Sequence, residues 1–118
     1  MHNYERLRVY ADALDLAEGV YALTADFTEG ERLNLTDQLR RCAVSIASNL
    51  AEGCGRATAK DTARFVDMSI GSAFEMDTQL RLVDRFGLAE TESVRRDVGA
   101  VARQLAAFRD RVLRGPGR

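Results

Sequence analysis

The sequence predicts an all-α protein folded as an antiparallel up-down four-helix bundle. Three observations lead there. Apolar residues recur every three or four positions along four long segments, the period of a helix with one buried face. Helix-starting and helix-stopping residues fall between those segments. The chain has a single proline, at position 116, and 46% apolar residues, and shows none of the strict alternation that marks a half-buried strand. At 118 residues it has room for one core and one domain, expected over residues 1–114, with residues 115–118 as a flexible tail.

The first helix is expected over about residues 4–27. Leu7, Tyr10, Leu14, Ala17 and Tyr21 form one apolar stripe, and Val9, Ala13, Leu16, Val20, Leu23 and Phe27 form a second beside it. Together they span about 200°, more than one core requires of a surface helix. A second apolar face left wet would be an exposed patch, so it points to self-association. The second helix, about 30–54, begins at Thr28–Glu31, a threonine three residues before an acid, which is the capping-box spacing. Its core stripe is Leu35, Leu39, Cys42, Ala43, Ile46 and Leu50. About 100° around the helix runs a polar seam of Gln38, Arg41, Ser45, Asn49, Glu52 and Arg56.

The third helix, about 59–86, starts from a second capping box, Thr58 to Asp61. Phe65, Met68, Met76, Leu80, Val83 and Phe86 make its apolar face, flanked by Gly71, Ser72, Glu75 and Gln79. Gly87 reads as its stop. The fourth helix, about 91–113, has Thr91 as N-cap and Glu92 in the first turn, where an acid suits the helix dipole. Val94, Val98, Val101, Leu105, Phe108 and Val112 form its stripe, with Arg96, Arg103 and Arg114 nearly opposite. Connections this short make consecutive helices antiparallel neighbours.

If the second and third helices turn near residue 58, the numbers of facing residues sum to about 116. Glu52 then faces Arg64, Ser45 faces Gly71 and Arg41 faces Glu75. The expectation is a polar zipper of Gln38, Arg41, Ser45, Asn49, Glu52, Arg64, Gly71, Ser72, Glu75 and Gln79. Its small residues, with Ser48, would let the two backbones approach.

The segment Gly53–Lys60, "GCGRATAK", lacks the glycine spacing of either nucleotide fingerprint and follows a helix where those fingerprints follow a strand. Gly53 and Gly55 read instead as a helix exit at positive φ. The sole histidine is His2, so no serine or cysteine has an imidazole base within a triad-like pattern, and no histidine metal set can form. An enzyme is not expected, nor a metal or cofactor. Cys42 and Cys54, twelve residues apart on one helix, read as free buried thiols. With no signal-type run near Met1 and no apolar stretch long enough to span a bilayer, a cytoplasmic protein without a membrane partner is expected.

Seventeen basic against eighteen acidic residues give a net charge of −1, so no global field draws the chain to nucleic acid. The charge is uneven: residues 57–118 hold eleven basic and nine acidic side chains. Arg40, Arg56, Lys60 and Arg64 are expected around the hairpin end, and Arg96, Arg103 and Arg114 along the fourth helix. These are the candidate RNA or DNA contacts. A solvated charged face is the competing reading, since no aromatics interleave to stack bases.

The segment Leu35–Leu88 carries a resemblance. Its "QLRR" at Gln38–Arg41, "SIASNLAEG" at Ser45–Gly53, "GR" at Gly55–Arg56 and "GSAFEMDTQL" at Gly71–Leu80 closely resemble the bacterial proteins known as 23S ribosomal RNA intervening-sequence proteins. With "YERLRVYADALDLAEGVYAL" similar to the family's first helix, the likeness covers nearly the whole chain. It implies a four-helix protomer in a ring-like homo-oligomer, a pentamer by analogy with the related accessory variability determinants of diversity-generating retroelements. Those relatives are basic and associate with a reverse transcriptase and nucleic acid. The partners so implied are further copies of the chain, RNA or DNA, and an enzyme acting on nucleic acid. This chain departs from the family in carrying Ala47 where a kinking proline usually follows the Ser-Ile pair, and from the retroelement proteins in being near neutral.

Overall fold

Helix boundaries follow from local chemistry at each end. In the computed structural model, which describes residues 1–115 apart from the side chains of residues 31–33, the Asn3 side chain accepts from the Glu5 amide at 3.2 Å and starts a 3-10 turn, Tyr4–Arg6. Helix α1 follows, Arg8–Thr24. It ends where buried Thr24 turns its hydroxyl back to the Val20 carbonyl at 2.8 Å, a local bond that competes with helix continuation. A helical turn at Glu29–Glu31 and a wide π turn at Arg32–Thr36 lead into α2, Asp37–Cys54. The expected start of the second helix at residue 30 is therefore interrupted. Leu35 and Thr36, at the end of the wide turn, are both buried.

The α2–α3 turn is capped as expected: Thr58 Oγ1 accepts from the Asp61 amide at 3.1 Å, and α3 runs Ala59–Arg85. It stops in a Schellman motif. Gly87, at φ +70°, donates to Asp84 O, and Leu88 donates to Val83 O, both at 3.0 Å. Helix α4 is Glu92–Arg114 and ends at Gly115, φ +76°. Thr91 does not cap it with its side chain: the buried hydroxyl donates to Asp84 Oδ2 at 2.6 Å, and Glu90 Oε1 accepts from the Glu92 amide instead. Residues 116–118 of the expected tail lie outside the described residues.

The result is an all-α, four-helix fold with no strand among the described residues, about 50 × 21 × 20 Å. Helices adjacent in the chain pack on one another, and α1 also packs on α4. One core draws Val9, Leu16 and Val20 from α1, Leu39, Ile46 and Leu50 from α2, Val66, Met76 and Leu80 from α3, and Val98, Leu105 and Phe108 from α4. Polar bonds tie the rim. Gln104 donates to Asp12 at 2.8 Å between α4 and α1, and Arg95 donates to Asp77 at 3.2 Å between α4 and α3. Burial pushes the Asp77 carboxyl up, but hydrogen bonds from Arg81 and Arg95 outweigh it and hold the group below its usual range.

The two stripes of α1 separate. The Val9 stripe enters the core, while Leu14 and Tyr21 of the other stripe remain 42% and 43% exposed. On α3, Met68 and Phe86 leave the apolar face assigned to them. The buried stripe runs through Phe65, Val66, Ser69, Ala73, Met76 and Leu80, so Met68 turns to solvent, and Phe86 lies past the last turn as the C-cap. No described helix is long and apolar enough to cross a membrane.

Candidate functional site

The α2–α3 interface is built from small hydroxyls and amides. From one end to the other, Gln79 Nε2 donates to Gln38 Oε1 at 3.3 Å, Cys42 Sγ donates to Glu75 Oε1 at 3.5 Å, and the Ser45 and Ser72 hydroxyls lie 2.9 Å apart. Deeper in, Ser69 donates to the Ile46 carbonyl at 2.6 Å and Thr62 to the Gly53 carbonyl at 2.9 Å. Pair by pair, the residue numbers add to 115 or 117, bracketing the expected 116. Asn49 reinforces the seam from within α2, donating to Ser45 O at 3.0 Å and Ser45 Oγ at 2.9 Å. A groove of about 350 Å³ opens along this seam, lined by Gln38, Arg41, Cys42, Ser45, Ser72, Glu75 and Gln79. Gln79 Oε1 is buried there without a hydrogen-bond partner.

Both expected inter-helix ion pairs fail to form. Glu52 meets Arg56 at 3.1 Å, four residues on and just past the end of α2, and Arg64 meets Asp61 at 2.9 Å within α3. Partners three or four residues away along a helical or turning chain are already neighbours, so they need less ordering than a pair across the turn. Arg41 is exposed and Glu75 accepts from the Cys42 thiol. Gly71 is also misplaced: Ser45 meets Ser72, and a β-carbon on Gly71 would meet nothing within 4 Å. Ser48 faces outward as well. The close approach is instead at Gly53, where an added β-carbon would lie 2.8 Å from Phe65 Cβ. Neither Gly53 nor Gly55 has positive φ; Gly55 sits at φ −87°, ψ 0°.

Sequence reasoning missed Ser69 and Thr62. Their signal was present, since they stand seven residues apart, as do Ser69 and Met76 on the apolar stripe of α3. A hydroxyl on a core stripe must find an acceptor, and the facing backbone of α2 supplies it.

The second candidate region is the end of the molecule at the α2–α3 turn. Arg56, Lys60 and Arg64 gather there with Arg109 and Arg111 of α4, around two cavities of about 600 and 590 Å³. Several of these cations are engaged. Arg56 lies over the Phe65 ring at 4.4 Å, Arg64 lies over the same ring at 4.6 Å, and Arg109 pairs with Asp67. Arg40 does not join them. It sits over Tyr21 at 4.4 Å and donates to Thr24 Oγ1 at 3.0 Å, fastening α2 to the far end of α1. Along α4, Arg96 pairs with Glu92 at 3.5 Å, while Arg103 and Arg114 are exposed. The span from Arg96 to Arg114 is roughly 27 Å at the α-helical rise, so the three arginines form a line and not a cluster.

Burial, then the Glu75 charge, push the Cys42 thiol up to about 11, and burial raises the Cys54 thiol too. Both are free cysteines held in the protonated form at neutral pH. Among the described residues no three His, Cys, Asp or Glu side chains are gathered to hold a metal ion. Compared with known families, residues 5–106 match the model described as "23S rRNA-intervening sequence protein". No curated protein matches the chain.

Proposed function

The chain belongs to the 23S rRNA-intervening sequence protein family, and from that premise we propose that it is a non-enzymatic, homo-oligomeric interaction or scaffold protein of the cytoplasm. The proposed protomer is an antiparallel up-down bundle, a direction supported by residue-number sums that stay at 115 or 117 from one end of the α2–α3 seam to the other. Several protomers assemble head to tail into a ring, with five as the proposed number.

The observation that carries this reading is the outward stripe of α1. Leu7, Tyr10, Leu14, Ala17 and Tyr21 repeat at three and four residues, the spacing of a coiled-coil seam; Leu7, Tyr10 and Ala17 pack partly against the edge of the core, while Leu14 and Tyr21 stand exposed beside it. A helix face of this period buries against another helix. Light scattering on the purified chain is the test. A mass five times the 13.1 kDa of one chain supports the ring, and a 13.1 kDa species at micromolar concentration refutes it. The seam fits a structural role, because its one thiol, Cys42, is held protonated and bonded to Glu75.

A second reading rests on the basic end. Lys60, Arg56 and Arg64 with Arg111 offer cations at one end of an elongated molecule, the arrangement that neutralises phosphates of RNA or DNA. Arg96, Arg103 and Arg114 would extend it along α4. In this reading a nucleic-acid enzyme could share the surface as a further partner. Filter binding to rRNA fragments across a salt series decides it: affinity must fall steeply with salt, and salt-independent or absent binding removes it.

A further inference from the structure

Between the N-terminal segment, the α2–α3 turn and the last turns of α4 lies the cavity of about 600 Å³. That is the volume range of small-molecule sites, which pair mostly apolar walls with a few convergent polar groups. Leu7, Phe108 and Val112 supply apolar wall, and Arg56, Arg111 and His2 the polar groups.

Three observations describe the polar side. Arg56 Nε is a buried donor with no hydrogen-bond partner, while the charge of its guanidinium is already paired with Glu52 at 3.1 Å and Asp61 at 3.7 Å, so it offers a donor and not an uncompensated charge. Arg111 has its guanidinium 5.6 Å from the Phe108 ring centroid and no acidic partner among the described ion pairs. The His2 imidazole is pushed down first by burial and then by positive charge beside it, Arg111 included. The first turn of α3, at Ala59, forms part of the same wall, and a helix start favours negative charge.

We infer that this cavity binds a small organic anion with an apolar body, of the medium-chain carboxylate kind. Its chain lies on Leu7, Phe108 and Val112, and its head faces Arg56 and Arg111. A phosphodiester backbone would use the two arginines and leave the apolar walls wet, so the combination favours the amphiphile.

The test uses the full chain with 8-anilinonaphthalene-1-sulfonate as fluorescent probe and decanoate, decanol and a short RNA as competitors. Probe fluorescence should rise on binding and be reversed by decanoate at a concentration at least about ten-fold below that of decanol, because only decanoate brings a charged head to the arginine side. Arg111→Gln, at an exposed position that leaves the core intact, should weaken decanoate about ten-fold. Met68→Ser, at an exposed position of α3 away from the cavity, should leave it unchanged. Because His2 is the sole histidine, decanoate should also shift its ring proton resonances. Equal competition by decanol, stronger displacement by RNA, no probe enhancement, or sensitivity to Met68→Ser with indifference to Arg111→Gln would each overturn the inference.

Discussion

Gly53 of α2 lies directly against Phe65 of α3: a β-carbon at Gly53 would stand 2.8 Å from Phe65 Cβ and 3.2 Å from the Thr62 carbonyl oxygen. Neither neighbour is the free end of a flexible side chain, so the helices would have to move apart. Gly53→Ala should therefore destabilise the protein. Overpacking costs ~1–3 kcal/mol, against a gain of up to ~1 kcal/mol in helix propensity. A denaturant midpoint equal to or above wild type would show that the α2–α3 contact is looser than this.

Gly71 predicts the opposite sign. It is exposed in the middle of α3 with nothing within 4 Å of an added β-carbon. Gly71→Ala should raise stability by ~0.5–1 kcal/mol through propensity alone. Measured side by side with Gly53→Ala, the two variants should move the urea midpoint in opposite directions.

Along the seam, buried hydroxyls should matter more than charges. Ser69 is fully buried and donates to the Ile46 carbonyl, which also serves as a helical acceptor within α2, so Ser69→Ala should cost ~0.5–1.5 kcal/mol, the net worth of one lost hydrogen bond. Glu75 is exposed and makes no ion pair with Arg41, so Glu75→Ala should stay within about 0.5 kcal/mol of wild type. Equal losses in thermal melts of the two variants would contradict this ordering.

The thiols give a pH test. A group whose pKa is higher in the folded than in the unfolded chain keeps its proton longer when folded, so stability is retained below the unfolded value and lost as pH rises through the folded one. For Cys42 the window runs from about 9 to about 11. Wild type should lose more stability across that window than Cys42→Ala, and both thiols should react with Ellman's reagent at pH 8 only on unfolding. Rapid labelling of the native chain would show that the seam opens to solvent.

The outward stripe of α1 is tested by Leu14→Glu. Leu14 lies outside the core, so thermal stability of the protomer should change little, within about 0.5 kcal/mol. A charge placed on the proposed contact should lower the mass found by light scattering. An assembly of unchanged mass would move the contact to another face.

Local chemistry was legible in the sequence because it acts within a few residues. The Thr58–Asp61 cap, the Gly87 stop and the near-116 facing rule each depend on one turn of helix or on one short connection. The four-helix class followed from the 3.6-residue period of the apolar stripes, since such a stripe must be buried whatever covers it. Which of two adjacent stripes on α1 enters the core, why Met68 turns out while Ser69 turns in, and whether Glu52 meets Arg64 or Arg56 could not be read that way. These depend on a rotation of each helix about its axis by a fraction of a turn. That rotation is set when the side chains of four helices fill one core together, and the placement of Phe65 against Gly53 records the outcome.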